Sequence, residues 1–451
     1  MQAALNILKK SAKRFTYLKL SKFMLGAFLV TFPFQIRKLV FYPDLYITGN
    51  FNYYVSFFVY LSDILLLMAF LSFGIAIYRR EKTDFIGFGY KELFAYMMVF
   101  LLLALGSVFI TENKEISFFQ VFRFIELMLL YILIVNEVLS RKLVLKYFIG
   151  GVFLQALIGI GQYVCQGSLG LRVLGESVIG TDIPGVAKMD IGAEKVLRSY
   201  GTLSHPNVLA GLIVCGMVFV FYVYKKQMKF LLPLISILTL ALLFTFSRSG
   251  LLAVAAIFLI YISLVERKIP YKMILLFGSI LMFFIVLFDL EYVFWSRFIL
   301  GGDVQAGLER LNYMAISRDM IMESPWGVGL GDYTLHMQDF TYTKLEPWLY
   351  QPVHNIFLLF TNEIGVVGGL FFLFIFGFIF LKLVQALKYL KEKIDDKNYC
   401  IALISLLTGL GVIAMFDHYL VTTYQGQIVL ILYFALVGSF LNSSALPFRN
   451  S

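Results

Sequence analysis

Apolar runs of roughly twenty residues follow one another along almost the whole chain, separated by short segments rich in Lys and Arg. Such a run matches the thickness of a bilayer's hydrocarbon core. Inside lipid every backbone N–H and C=O must be paired within the protein, so only helices and closed barrels span it. A barrel strand alternates polar and apolar residues, whereas these runs are continuously apolar. The composition agrees: 60% of the 451 residues are hydrophobic and 15% are charged. A soluble domain averages about 25% charged residues and could not bury so much apolar surface. An ordinary soluble enzyme, a disordered chain and a collagen-like fibre are therefore excluded. The sequence specifies an all-α polytopic membrane protein, with one polytopic domain over residues 1–451.

About twelve spans are expected, near residues 21–36, 53–78, 92–110, 118–137, 144–164, 204–224, 230–246, 249–265, 272–290, 354–381, 400–416 and 425–441. The net charge of +10 would suggest nucleic acid in a soluble protein. Here the basic residues sit in the connecting loops, which makes them a topology signal, and no nucleic-acid partner is expected. Lys9, Lys10, Lys13, Arg14, Lys19 and Lys22 precede the first run. No small-x-small cleavage pattern follows it, so it reads as a retained first span. With this basic end in the cytoplasm, Lys and Arg favour the cytoplasmic loops throughout, and both termini are expected inside. Cys165, Cys215 and Cys400 are too scattered for a disulfide framework and read as packing residues.

Three outer segments result: 165–203, the turn Ser247-Arg248-Ser249-Gly250, and a long loop over 291–353 before the tenth span. Within the last, Asp303 suits a helix N-cap, 304–322 has helical character, and Ser324-Pro325 ends it. Its mixed polarity suits an interfacial helix. Pro325-Trp326-Gly327-Val328-Gly329-Leu330-Gly331 lacks the spacing and strand–helix setting of a nucleotide loop and reads as a backbone bend.

All four histidines (His205, His336, His354 and His418) fall on the outer side or at its boundary. So do Arg198, Arg248, Arg310 and Arg318. Several helix ends can thus build one pocket bearing guanidinium and imidazole groups. Arginine binds phosphate oxygens in a fork and keeps its charge. Imidazole accepts a proton near neutral pH. Together they suit transfer from a phosphate-activated donor. Plainer readings stand beside this one. Arg198 and Arg248 can be interface anchors, and a lone His354 can be structural, as His336 is taken to be. Asp417-His418 is a weak signal. Neither HExxH nor a cysteine-rich spacing is present, so no metal is expected, and no cofactor. Within spans, Arg123 and Glu126 lie three apart and should pair. Asp63 lies in the second span, and Glu363 follows His354 by about two and a half turns. Intramembrane charges also keep a carrier, such as a lipid-linked glycan flippase, in play.

The segments Arg198-Ser199-Tyr200-Gly201-Thr202-Leu203-Ser204-His205-Pro206-Asn207, Ser247-Arg248-Ser249-Gly250, Arg310 with Pro325-Trp326-Gly327-Val328-Gly329, and His354-Asn355 with Glu363-Ile364-Gly365 occur in this order. Over residues 195–380 the chain resembles the O-antigen ligase/polymerase superfamily of bacterial membrane glycosyltransferases. The resemblance implies a fold related to the GT-C glycosyltransferases in the bacterial cytoplasmic membrane. It also implies an undecaprenyl-diphosphate-linked glycan donor at the periplasmic or outer face, and metal-independent inverting transfer. The acceptor would be a growing glycan in a polymerase, lipid A-core in a ligase, or a protein in related members. The family's functional arginines and histidine map onto Arg198, Arg248 and His354. Arg310, Arg318, His205, Asn355 and Glu363 are then candidates for substrate contacts. The ten residues between Arg318 and Gly329 resemble a spacing of some polymerase loops.

Overall fold

The computed structural model describes residues 16–41, 51–82, 87–191, 194–265, 278–279, 282, 304–341, 345–390 and 393–443. They form a largely helical bundle with two short hairpins. The helices are α1 (Tyr17–Thr31), α2 (Leu61–Tyr78), α3 (Lys91–Ser107), α4 (Lys114–Val135), α5 (Arg141–Cys165), α6 (Pro206–Tyr224), α7 (Met228–Thr245) and α8 (Arg248–Leu264). After these come α9 (Val304–Glu323), the short α10 (Tyr333–His336), α11 (Ile356–Tyr389), α12 (Ile394–Phe416), the short α13 (Tyr419–Thr422) and α14 (Tyr424–Leu441). Strands β1 (Arg37–Phe41) and β2 (Phe57–Tyr60) pair antiparallel, as do β3 (Lys188–Ile191) and β4 (Glu194–Leu197).

Eight described helices (α2, α4, α5, α6, α7, α11, α12 and α14) are long and apolar enough to cross a membrane, and α8 is a slightly shorter apolar helix. The chain is therefore a multi-pass membrane protein. The expected run at 272–290 and the Asp303 cap lie outside the described residues.

Two expected spans change character. The first part of 53–78 is a 3-10 turn (Tyr53–Val55) followed by β2, which precedes α2 and pairs Arg37 with Tyr60 and Leu39 with Phe58. Its crowded aromatic and β-branched residues suit a pleated surface better than a helix. The run 354–381 is interrupted at Gly365, whose φ of +84° is non-helical. Cys215 and Cys400 are buried as expected, but Cys165 is exposed because it ends α5 at the bundle's rim.

Helix ends are set locally. Pro206 occupies the first turn of α6, where its missing N–H costs nothing. Ser247 accepts from Gly250 N–H at the start of α8, Asn355 from Leu358 N–H at the start of α11, and Thr423 from Gly426 N–H at the start of α14. Helices α6 and α14 are apolar all round and bury most of their length inside the bundle, as central helices do. Helix α2 shows the opposite pattern. Ile64, Leu67 and Leu71 lie at helical spacing and face outward as an exposed stripe, which a lipid-facing helix requires. Small residues bring backbones close: Gly250 of α8 sits directly against Ala210 of α6.

The glycine segment docks into the break of α11. Val328 N–H donates to Asn362 O (2.8 Å), Gly329 N–H to Glu363 O (2.9 Å) and Val366 N–H to Pro325 O (3.0 Å). Gly327 has φ +94°, and a Cβ there would lie 2.6 Å from Gly365 N. Backbone cannot yield as a side chain can, so Gly327→Ala is expected to cost about 1–3 kcal/mol. A lower apparent Tm in detergent checks this; unchanged melting contradicts the docking.

Candidate active site

Five chain segments meet where helix ends converge. Strand β4 delivers Arg198, α6 begins beside His205, α8 begins with Arg248, α11 begins just after His354, and α12 ends at Asp417. Arg198 is buried and points inward. Its Nε donates to Thr245 O (2.7 Å) and its Nη2 to Asn207 Oδ1 (2.8 Å). An interface anchor would reach for water, so that reading of Arg198 fails. Burial pulls its guanidinium down to about 10, with Arg248 and Arg310 adding to the effect against Tyr200 and Asp417. It stays charged at neutral pH. Arg310, on α9, is half-buried and lowered first by burial, with Asp417 opposing and Arg248 adding. These three arginines thus lie within electrostatic reach of one another.

The counter-charge is Asp417. Asn207 bridges to it, donating through Nδ2 to Asp417 Oδ2 (2.7 Å). Asp417 Oδ1 accepts the His418 N–H (3.0 Å) and lies 3.6 Å from His354 Nδ1. That distance exceeds a normal hydrogen bond, and His354 Nδ1 is buried without another bonded partner. Burial alone would raise the Asp417 carboxyl. The His354 side chain facing it, with smaller help from His418 and His205, outweighs burial and holds the group well below the usual carboxylate range. His354 also faces the Tyr313 ring at 5.8 Å and the His418 ring at 5.0 Å.

The other histidines have structural bonds. His205 Nδ1 accepts the Asn207 N–H (3.1 Å), making the ring a helix cap. His418 Nδ1 bonds Thr422 Oγ1 (2.8 Å). Burial, reinforced by Arg198 near His205 and by His354 near His418, lowers both imidazoles to about 3. Unfolding releases them to bind protons, so the folded state should lose stability as pH falls from about 6.5. Above that pH neither group contributes a slope. Apparent Tm measured from pH 7 to pH 5 checks this, and His418→Gln should flatten the decline; an equal decline in that variant contradicts it.

Several expected contacts lie elsewhere. Arg318 is largely exposed and pairs with its neighbour Asp319 (2.8 Å), about two turns beyond Arg310 along α9. Asn355 caps α11 and donates to Met415 O (3.2 Å), so it holds His354 in place. Glu363 is buried and accepts from the Gly331 and Tyr333 backbone, bracing the glycine segment. His336 bonds locally to Asp332 O (3.3 Å). Asp417 and Asn207 are the residues that sequence reasoning underused. Their only signal was topological: helix ends on one side of the membrane can meet.

His354, Asp417 and His418 place potential ligand atoms within 4.8 Å of one another. Two nitrogens and one oxygen are a donor set that zinc accepts. Yet both Asp417 oxygens already accept hydrogen bonds, and Arg198 and Arg310 lie close enough to Asp417 to repel a dication.

Residues 233–373 match the family described as O-Antigen ligase. Over this stretch, less than half of the chain, the protein is similar to that family. The match contains Arg248, Arg310, the glycine segment and His354, and leaves Arg198, Asn207 and Asp417 outside. It supports a ligase- or polymerase-type function in general, in a membrane enzyme of polysaccharide assembly. Comparison with curated proteins gives no match.

Proposed function

We propose that the protein transfers a glycan from an undecaprenyl-diphosphate-linked donor to an acceptor hydroxyl, at the outer face of the bacterial cytoplasmic membrane. The observation that carries this reading is the meeting of Arg198, Arg248 and Arg310 with the His354–Asp417 pair. Arg198 and Arg310 lie within electrostatic reach of Asp417 and of Arg248, and guanidiniums so grouped suit the oxygens of a diphosphate. As the anomeric C–O bond breaks, its electron pair leaves with the carrier diphosphate, and the arginines stabilise that charge. The acceptor oxygen forms the new bond at the anomeric carbon and gives its proton to His354. Asp417 faces Nδ1, which leaves Nε2 as the base and favours the resulting imidazolium. The 3.6 Å separation suits a pair that tightens as the reacting complex forms.

A ligase and a polymerase would share this chemistry and differ in the acceptor. A carrier would instead hold its charges near the bilayer midplane in broken helices. The one described break, at Gly365, is filled by the glycine segment.

The test is transfer by purified protein from lipid-linked donor in detergent. The expected result is product with inverted anomeric configuration and release of undecaprenyl diphosphate. Donor crossing a bilayer without bond cleavage would replace transfer by transport. Prolonged EDTA dialysis should leave the rate unchanged. A loss restored by Zn²⁺ would make His354, Asp417 and His418 metal ligands.

A further inference from the structure

The segment between α1 and α2 lies outside both the resemblance over 195–380 and the matched stretch 233–373, yet it reaches the active site. It carries the 3-10 turn Tyr53–Val55. The buried Asn52 side chain holds this turn in place. Its Nδ2 donates to Tyr350 O (2.9 Å), and its Oδ1 accepts the Tyr54 N–H (2.9 Å). Ser56 Oγ donates to Asn52 O (2.8 Å) and closes the turn. One amide thus ties the turn to the segment that leads into His354. Tyr54 is carried inward as a result. Its ring meets the His418 ring edge-on at 5.5 Å, and the His418 ring lies 5.0 Å from that of His354. Tyr54 is also within electrostatic reach of Asp417 and Tyr313.

The phenols around the site differ in what their hydroxyls do. Tyr53 Oη bonds Tyr60 Oη (3.2 Å), Tyr313 Oη donates to Leu349 O (2.6 Å), and Tyr200 Oη accepts the Ala187 N–H (2.6 Å). Tyr333 and Tyr419 lack a hydrogen-bond partner, but both are sealed in the core, where no substrate reaches. Tyr54 is half-buried, and among the described residues its hydroxyl makes no hydrogen bond. Burial, reinforced by Asp417 and then by Tyr53 and Tyr313, holds this phenol well above its ordinary range. At neutral pH it keeps its proton and can donate it to a hydrogen bond. A tyrosine serving only as packing satisfies its hydroxyl or hides it. A partly accessible donor beside a carboxylate and two imidazoles is placed for a ligand.

We propose that Tyr54 is an acceptor-binding residue: its hydroxyl donates to an acceptor sugar hydroxyl next to the attacking one and so aims the attacking oxygen at His354. This rests on the transfer reading above. His418, fixed by Thr422 Oγ1 (2.8 Å), is the spacer against which both Tyr54 and His354 rest. Recognition then divides along the chain. The first outer segment meets the acceptor, and the arginines from residue 198 onwards meet the donor diphosphate. Enzymes that share the donor chemistry can differ in acceptor through a segment of this kind.

The test is transfer by the full chain in nanodiscs from lipid-linked donor. Two acceptor probes are offered, the lipid-free repeat oligosaccharide of the host's own envelope polysaccharide and lipid A-core, and the one that wild type uses is titrated. Tyr54→Phe should lower kcat/KM for the acceptor about ten-fold and move the donor KM less than roughly two-fold. Tyr53→Phe removes a hydroxyl of the same turn that is bonded to Tyr60, and should stay within about two-fold for both substrates. Para-aminophenylalanine at position 54 supplies a donor and should recover most of the loss. Para-methylphenylalanine there fills similar space without a donor and should not, which keeps the test decisive if Tyr54→Phe fails to fold. Unchanged acceptor kinetics in Tyr54→Phe overturn the proposal. So does an equal loss towards donor and acceptor, which would make Tyr54 a prop for His418, and so does equal recovery by the methyl and amino side chains. No product with either probe, or full-rate transfer by His354→Ala and Arg248→Ala, sinks the transfer reading itself. If those two variants are slow and Tyr54→Phe is normal, only the role of Tyr54 falls.

Discussion

Arg248→Ala is expected to fold, reach the membrane at wild-type abundance and transfer glycan roughly 10²–10³-fold more slowly. Arg248 opens α8, whose cap is Ser247 and whose close packing on α6 runs through Gly250, so truncating it spares the local fold. What is lost is a fixed charge within reach of Arg198 and Arg310. Arg198→Lys should fail as well, because one ammonium cannot bond both Thr245 O and Asn207 Oδ1 in the guanidinium's planar geometry. Near-normal transfer by Arg248→Ala, normalised to protein in the membrane, would remove the arginines from the reaction.

Losing the base should cost about as much. His354→Ala is expected to lower the rate roughly 10²–10⁴-fold, and Asp417→Asn at least about 10²-fold through a misoriented, less basic ring. Residues that act as a unit are not additive. The double variant should therefore be no slower than His354→Ala alone. Multiplying penalties would mean that Asp417 acts separately, for instance as the counter-charge of buried Arg198. Membrane abundance must be measured beside the rate, because removing the carboxylate leaves that guanidinium without its nearest described counter-charge.

Much of this architecture is legible in the chain. Continuous apolar runs announce helices because lipid leaves the backbone no other economy of hydrogen bonds. Pro206, Ser247 and Asn355 mark helix starts by chemistry that acts within one turn. The side of the membrane on which a residue falls follows from counting spans. For that reason Arg198, Arg248 and His354 could be grouped before any geometry was known. Tertiary pairing is less legible. Nothing local says that Asn207 bridges Arg198 to Asp417, since Asp417 lies 210 residues beyond Asn207. Arg310 and Arg318 look equivalent along the chain, and only the packing of α9 sends one to the cluster and the other to Asp319. The break at Gly365 also needs its partner: a glycine in an apolar run reads as helix until Gly327 requires its space. Phe57–Tyr60 were absorbed into a span because their hydropathy resembles that of α2, while their pairing with Arg37–Phe41 is a long-range fact.

The most direct measurement is the glycan profile of a deletion strain complemented with wild type or with His354→Ala, carrier-linked and acceptor-linked pools sized separately. The account predicts that wild type restores the profile and that His354→Ala, present at equal abundance, does not. Single repeats left on the carrier would identify a polymerase; long chains stranded there would identify a ligase. Full-length glycan on its final acceptor in both the deletion and the His354→Ala strain would contradict glycan transfer by this protein.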